Sequence, residues 1–283
     1  MTELVFILSV NYSGSHLLAQ LLGAHSRCAS IGELKNYEKV IQPANPRHAD
    51  SDLVQNPLYA DLLSRDRESW YEILHQRIRE AHPAVDVLID NSKKVEWARS
   101  FQHSKNYRIR YIHLLRDPRA LLRRWLNDFQ APGLMRRQRL KLMRSNPARL
   151  PVAIAGSDHD VLLYKWLDAN RRISGFLKSS GKPYAVVTYH DLATRTADAL
   201  SRLMPALGLE YEAEQLAYAA GTSFGTRKRA YVDMSARSEI RFDTRWKQEL
   251  DSAALRAADN CSALHAWLDR VGVQLGANGL VQR

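Results

Sequence analysis

Two short stretches combine residue types suited to holding an anion. In NYSGSHLL, residues 11–18, Gly14 permits a tight turn, and Ser13, Ser15 and the backbone N–H groups of the helix that follows offer donors. Such N–H groups, reinforced by the helix dipole, bind anions. A phosphate or sulfate suits the turn, and an ordinary Ser-capped helix start is the other reading. The stretch is not a GxxxxGK[ST] loop, which needs a lysine beside its final Ser or Thr, because His16 and Leu17 occupy that region. In YIHLLRDPRALLRRWL, residues 111–126, Arg116 stands at the carboxyl end of a strand, Asp117 can cap, and Pro118 suits the first helical position. A guanidinium at that rim either clamps a phosphate bidentately or pairs with a carboxylate at the sheet edge. Arg124 lies one helical turn before Asp128, where a pair is worth about 0.3–0.5 kcal/mol.

Elements of strand and helix period must position these residues. Strand-length apolar runs fall at Leu4 to Val10, Val85 to Asp90, Ile109 to Leu115 and Tyr184 to Tyr189, each followed by a helix-like stretch. That alternation predicts an α/β fold with a mostly parallel sheet covered on both faces, which binds ligands at the carboxyl ends of its strands. Helical spacing extends over Asp66 to His82, Asp158 to Ser180 and Asp243 to Val271. Prolines make residues 36–60 and 145–157 irregular. The expectation is one domain over 1–283, with irregular or helical insertions near 36–82 and 130–160.

Composition sets bounds. The 283 residues are 45% hydrophobic and 25% charged, which is globular rather than disordered. Cys28 and Cys261 lie far apart without zinc-ligand spacing, so neither a structural metal nor a disulfide is expected. The apolar run near residue 4 lacks a basic segment before it and soon meets Asn11 and Ser13, unlike a signal peptide. No stretch reaches the roughly 20 apolar residues of a membrane span, and the expectation is a soluble cytoplasmic protein. The formal net charge of +11, from 41 Lys and Arg against 30 Asp and Glu, favours an anionic partner or marks a basic solvated surface.

The SG turn, then GE at 32–33, VLIDNSK at 87–93, LLRDPRA at 114–120 and VVTYHDL at 186–192 occur in an order that resembles the sulfotransferases using 3′-phosphoadenosine-5′-phosphosulfate (PAPS). The likeness runs from about residue 4 to Trp246, is greatest for the carbohydrate and tyrosylprotein branches, and has RDPRA as its most specific piece. It implies a P-loop-NTPase-like three-layer fold, PAPS as donor, adenosine 3′,5′-bisphosphate (PAP) as product, and no metal. It further implies that Tyr12, Ser13, Gly14, Ser15, His16 and Leu17 form the 5′-phosphosulfate loop, and that Arg116 and Arg124 serve the 3′-phosphate. Tyr189 matches the tyrosine near the adenine, and Gly225, Thr226, Arg227 and Lys228 resemble the segment that closes over the 3′-phosphate. Two positions depart from the pattern: Tyr12 stands where Arg or Lys is usual, and Arg124 where Ser is usual. Lys93 or Lys94 is then expected to supply the missing cation for the charge that builds during transfer.

Glu33 resembles the general base of the tyrosylprotein branch, with a surface pair to Lys35 as the plainer reading, and His16 stands close enough to the loop to serve as base or oxygen ligand. The acceptor hydroxyl is expected first on a carbohydrate, then on a lipid or metabolite, then on a protein tyrosine. The stretch 136–149, RRQRLKLMRSNPAR, has no acidic residue and either meets an anionic acceptor or faces water. Two other classes compete. A kinase-like nucleotide-binding protein would depend on Mg²⁺ and lacks the loop lysine; a nucleic-acid-binding module lacks any recognised motif, and no nucleic-acid partner is expected.

Overall fold

Alternate residues of the first strand serve two different cores, which fixes the sheet between two helical layers. Leu4, Phe6 and Leu8 pack on one face and Val5 and Ile7 on the other, all but inaccessible to solvent. A computed structural model describes residues 1–40, 56–220 and 240–283. Strands β1 (Thr2–Leu8), β2 (Cys28–Gly32), β3 (Val87–Lys93), β4 (Tyr107–Leu115) and β5 (Tyr184–Thr188) form a sheet in the order β2-β3-β1-β4-β5. Every pairing is parallel. The α/β, P-loop-like expectation therefore holds. With β1 in the middle, the chain runs from β1 to the β2 edge and later crosses from β3 to β4 on the other side, and the crevice at such a reversal, at the carboxyl end of β1, is where such sheets take ligands.

Parallel strands require crossovers, and helices supply them on both faces. The helices that bear on the site are α1 (Ser15–Gly23), α2 (Trp70–Ala81), α3 (Val95–Phe101), α4 (Pro118–Asp128), α5 (Leu134–Ser145) and α6 (Asp158–Ser180). Helices α2 and α3 cover the Phe6 face with Trp70, Tyr71, Trp97 and Phe101. On the opposite face α1 contributes Leu17, Leu18, Leu21 and Leu22. A third apolar cluster joins α4 and α6 to the C-terminal helices through Trp125, Trp166, Trp246 and Trp267. Each large apolar side chain so buried stabilises by about 1.5–3 kcal/mol.

Three expectations change. Strand β2, CASIG, carries small residues rather than a branched apolar run and was not among the expected strands; it is nonetheless wholly buried against β3. The closing helix expected over Asp243 to Val271 is three helices, Trp246–Glu249, Ser252–Asp259 and Ser262–Arg270, followed by a hairpin of Val273–Leu275 with Leu280–Gln282. The break has a local cause: Asp251 caps a new start by accepting from the Ala254 N–H at 2.7 Å. The helix expected over Asp66 to His82 begins at Trp70, after a single 3₁₀ turn at Arg67–Ser69. Helix α6 spans its expected range and opens with a capping box between Ser157 and Asp160. Among the described residues no helix is long and apolar enough to cross a membrane.

Candidate functional site

Strand β1 ends in a turn whose backbone is left-handed at Tyr12 (φ 68°) and Gly14 (φ 93°). Gly14 is required twice over. A side chain is strained at that φ, and a Cβ there would meet the Tyr189 ring at 2.5 Å. Helix α1 starts at the next residue without a side-chain cap and without an acidic residue in its first turn. The hydroxyls of Ser13 and Ser15 are buried and have no hydrogen-bond partner among the described residues, and the same holds for Arg116 Nε. A bound anion has the acceptors that such donors lack, so the turn fits a phosphate or sulfate. Leu17 contributes only backbone, since its side chain lies in the core.

Arg116 stands at the end of β4, beside that turn. One of its amino groups donates to the Tyr12 carbonyl at 2.7 Å and the other to Asp243 Oδ2 at 2.9 Å, while its guanidinium lies 4.4 Å from the centre of the Tyr189 ring. The rim position read from sequence is thus observed together with the carboxylate pairing that was its alternative. Asp243 also accepts from Arg245, and this hydrogen bond outweighs burial to hold its carboxyl down at about 2, with Arg116 adding to the effect. Tyr189 opens a short helix, Tyr189–Thr194, capped by Thr188. Asp191 pins that helix by accepting from Thr188 Oγ1 at 2.8 Å and from the Gln282 N–H at 3.0 Å. The ring of Tyr189 lies 5.9 Å from that of Phe242. The two departures from the family pattern meet each other: the Arg124 guanidinium sits 4.7 Å from the centre of the Tyr12 ring, and Arg124 Nε pairs with Asp128 at 3.2 Å.

A second cluster lies at the ends of β2 and β3. Gly32, at φ 72°, turns the chain so that Glu33 follows the strand end. Glu33 Oε1 meets His16 Nε2 at 2.9 Å and accepts from Lys93, while Oε2 accepts from Asn36 at 2.6 Å. Burial by itself raises the Glu33 carboxyl, but the His16 hydrogen bond and the Lys93 charge outweigh it and hold the group well below the usual carboxylate range. The Asn91 amide nitrogen, a donor, meets His16 Nδ1 at 3.2 Å, which leaves the proton of a neutral ring on Nε2, facing Glu33. Lys93 has a left-handed backbone at φ 69°. Its turn is tied by buried Asp90, which accepts from the Ser92 N–H at 2.6 Å and the Tyr71 hydroxyl at 2.6 Å, and by Ser92 Oγ, which accepts from the Lys35 N–H at 3.0 Å. Lys94, next along, donates to Asn11 Oδ1 at 3.4 Å and so bridges this cluster to the β1 turn.

The fold therefore gathers Tyr12, Ser13, Gly14, Ser15, Arg116, Arg124 and Tyr189 at one end of the sheet, with His16, Glu33 and Lys93 beside them. Gly225, Thr226, Arg227 and Lys228 lie outside the described residues. Sequence reasoning missed Asp243, Phe242 and Asn91. Asn91 sits inside the quoted VLIDNSK stretch, so proximity to Lys93 was a usable signal; Asp243 and Phe242 sit in no motif and gain their roles only from chain packing.

No family model matches the sequence, and no curated protein matches it. Solved structures do. The sulfotransferase domain from the curacin biosynthetic pathway is similar over 93% of this chain and 98% of its own, at 20% identity and a TM-score of 0.51. The chain has the fold of a sulfotransferase domain. The sulfotransferase domain of the Synechococcus PCC 7002 olefin synthase matches 90% of this chain and 86% of its own, at 20% identity and a TM-score of 0.46. Sulfotransferase STF9 from Mycobacterium avium matches 95% of this chain and 76% of its own, at 13% identity and a TM-score of 0.43.

Proposed function

We propose that this protein is a sulfotransferase that moves a sulfuryl group from PAPS to an acceptor hydroxyl, with a carbohydrate as the first acceptor class to test. The observation that carries this reading is the meeting, at the carboxyl ends of β1, β2 and β3, of an uncapped, glycine-dependent anion turn with the Glu33, His16 and Lys93 cluster. The Ser13 to His16 turn would hold the donor's 5′ side, and Arg116 with Arg124 its 3′-phosphate. The bond from acceptor oxygen to sulfur forms as the bond from sulfur to the phosphate oxygen breaks; the acceptor proton passes to the protein and PAP leaves.

The chain's own groups suit those needs. Lys93 supplies a cation beside the turn although Tyr12 does not, and such a charge stabilises the oxygens on which negative charge builds. Glu33 is held ionised and can accept a proton, but its pairing with Lys93 and His16 makes it a weak base. An anion beside Lys93 draws that lysine's charge away from the carboxylate and restores basicity. A second reading makes His16 the base, with Glu33 holding its Nε2–H and Nδ1 exchanging the Asn91 hydrogen bond for the acceptor proton, favoured by exposure: the His16 side chain is 46% exposed and that of Glu33 11%. Comparing turnover of Glu33→Gln and His16→Gln separates the two, since only the base itself carries the full loss.

Calorimetric titration tests the donor site. The expected result is clear preference for PAP over ATP and 5′-AMP, without Mg²⁺. Equal affinities, or none, would remove the sulfotransferase reading.

A further inference from the structure

Tyr12 is placed at a cost that neither packing nor the backbone explains. Its φ of 68° is left-handed, where a bulky side chain is an outlier and glycine sits without strain. Its ring is 44% exposed and belongs to none of the apolar clusters, and its hydroxyl has no hydrogen-bond partner among the described residues. Strain kept beside an anion turn points to a task in the site, and the contacts of Tyr12 say which.

Two guanidinium groups rest on this one residue. Its carbonyl accepts from an amino group of Arg116 at 2.7 Å, and the Arg124 guanidinium lies 4.7 Å from the centre of its ring. Both contacts are made at once with the backbone left-handed, so the unusual φ is tied to holding the two arginines. Arg116 also lies 4.4 Å from the centre of the Tyr189 ring, and Gly14, having no Cβ, lets that ring close on the turn. Each arginine is thus backed by a tyrosine ring, one carried by the turn and one lying against it.

Like charges brought near one another repel. An aromatic face attracts a guanidinium and a carbonyl accepts from one, so Tyr12 holds both arginines without adding a charge of its own, whereas a lysine or arginine at position 12 would repel them. Each guanidinium also pairs with a carboxylate that a phosphate can replace, Arg124 with Asp128 and Arg116 with Asp243.

We propose that Tyr12 is a positioning residue of the donor site, its carbonyl holding Arg116 and its ring holding Arg124 so that the two guanidinium groups meet one phosphate, the donor's 3′-phosphate. This rests on the sulfotransferase reading and adds the residue through which Arg124 acts. The ring that takes the place of a cation in the turn therefore serves the other end of the donor.

The test is calorimetric titration with PAP and, by displacement, with 5′-AMP, which lacks the 3′-phosphate and so reads the turn alone. Tyr12→Gly suits the left-handed backbone and removes only the ring; it is expected to weaken PAP binding roughly fivefold, the scale of an exposed cation–π contact, while 5′-AMP affinity stays within about twofold. Tyr12→Phe, which keeps the ring, should recover that loss, and Tyr12→Lys should not. Tyr12→Gly combined with Arg124→Ser should lose little more than Arg124→Ser alone, because the ring acts through that arginine. Equal losses for PAP and 5′-AMP in Tyr12→Gly, or losses that add in the double variant, overturn the proposal. The wild type separates the two failures: PAP preference that is present but indifferent to Tyr12 removes only the positioning role, whereas no preference for PAP over 5′-AMP removes the donor reading and this role with it.

Discussion

Arg116 and Glu33 are both charged groups neutralised by partners within the chain, yet the two arrangements differ in what holds them. The partners of Glu33 come from β3 and α1, its carboxylate is mostly buried, and Asp90 and Ser92 fix the lysine that binds it. Arg116 finds its carboxylate on Asp243, 127 residues along, outside the sheet and shared with Arg245. The first pairing is part of the sheet's own framework. The second is a contact between the sheet end and a segment laid over it, and a phosphate can replace it. The proposed sulfuryl transfer calls for that asymmetry: an acid–base corner that stays in place and an anion site that exchanges ligands.

The largest effect should come from the fixed corner. Glu33→Gln is expected to lower turnover by roughly a hundredfold or more, in the range of general-base losses, while PAP affinity changes little; loss of PAP binding instead would make the corner part of the donor site and erase the distinction. Arg116→Ala is expected to weaken PAP binding by more than tenfold in a folded protein, because it removes a charge-assisted donor pair; near-normal affinity would take Arg116 out of the site. Asp243→Asn sharpens the contrast, since it frees Arg116 from a competing carboxylate. A severalfold gain in PAP affinity is expected, and a loss would mean that Asp243 orients Arg116 rather than competing for it. The smallest effect concerns the sheet alone. His113 is wholly buried on β4, and burial pushes its imidazole down to about 4 against the hydrogen bond that its Nε2–H donates to Asn170 Oδ1. Its folded value lies below its ordinary one, so its stabilising contribution is complete above about pH 6.5 and declines as pH falls toward 4. Thermal melts across that window should show a falling midpoint.

What the sequence disclosed follows the same division. Strands β1 and β3 are buried on both faces and contain apolar runs, while β4 and the edge strand β5 show theirs in Ile109 to Leu115 and Tyr184 to Thr188. Strand β2 has the same burial but only small residues, Cys28, Ala29 and Ser30, and its identity comes from pairing with β3. The turn and Arg116 were legible because Gly14, Asp117 and Pro118 have local jobs in turning and capping. Asp117 accepts from the Arg119 N–H at 2.8 Å as its position implies. Asp243 and Phe242 were not legible, because nothing in their local sequence requires them to meet Arg116 and Tyr189. The division of the last helix at Asp251 was in principle readable as a cap, but apolar spacing around Trp246, Leu250 and Leu264 suggested continuity.

The placement of β1 at the centre of the sheet has a consequence for how the molecule is made. The turn at Tyr12 receives its grip from Arg116, 104 residues later, and Arg116 receives its own from Asp243, 127 residues later still. During synthesis the turn at Tyr12 therefore emerges before β3 and β4, the strands that flank β1, and before Asp243. Such long-range closure slows folding and leaves an apolar strand exposed meanwhile.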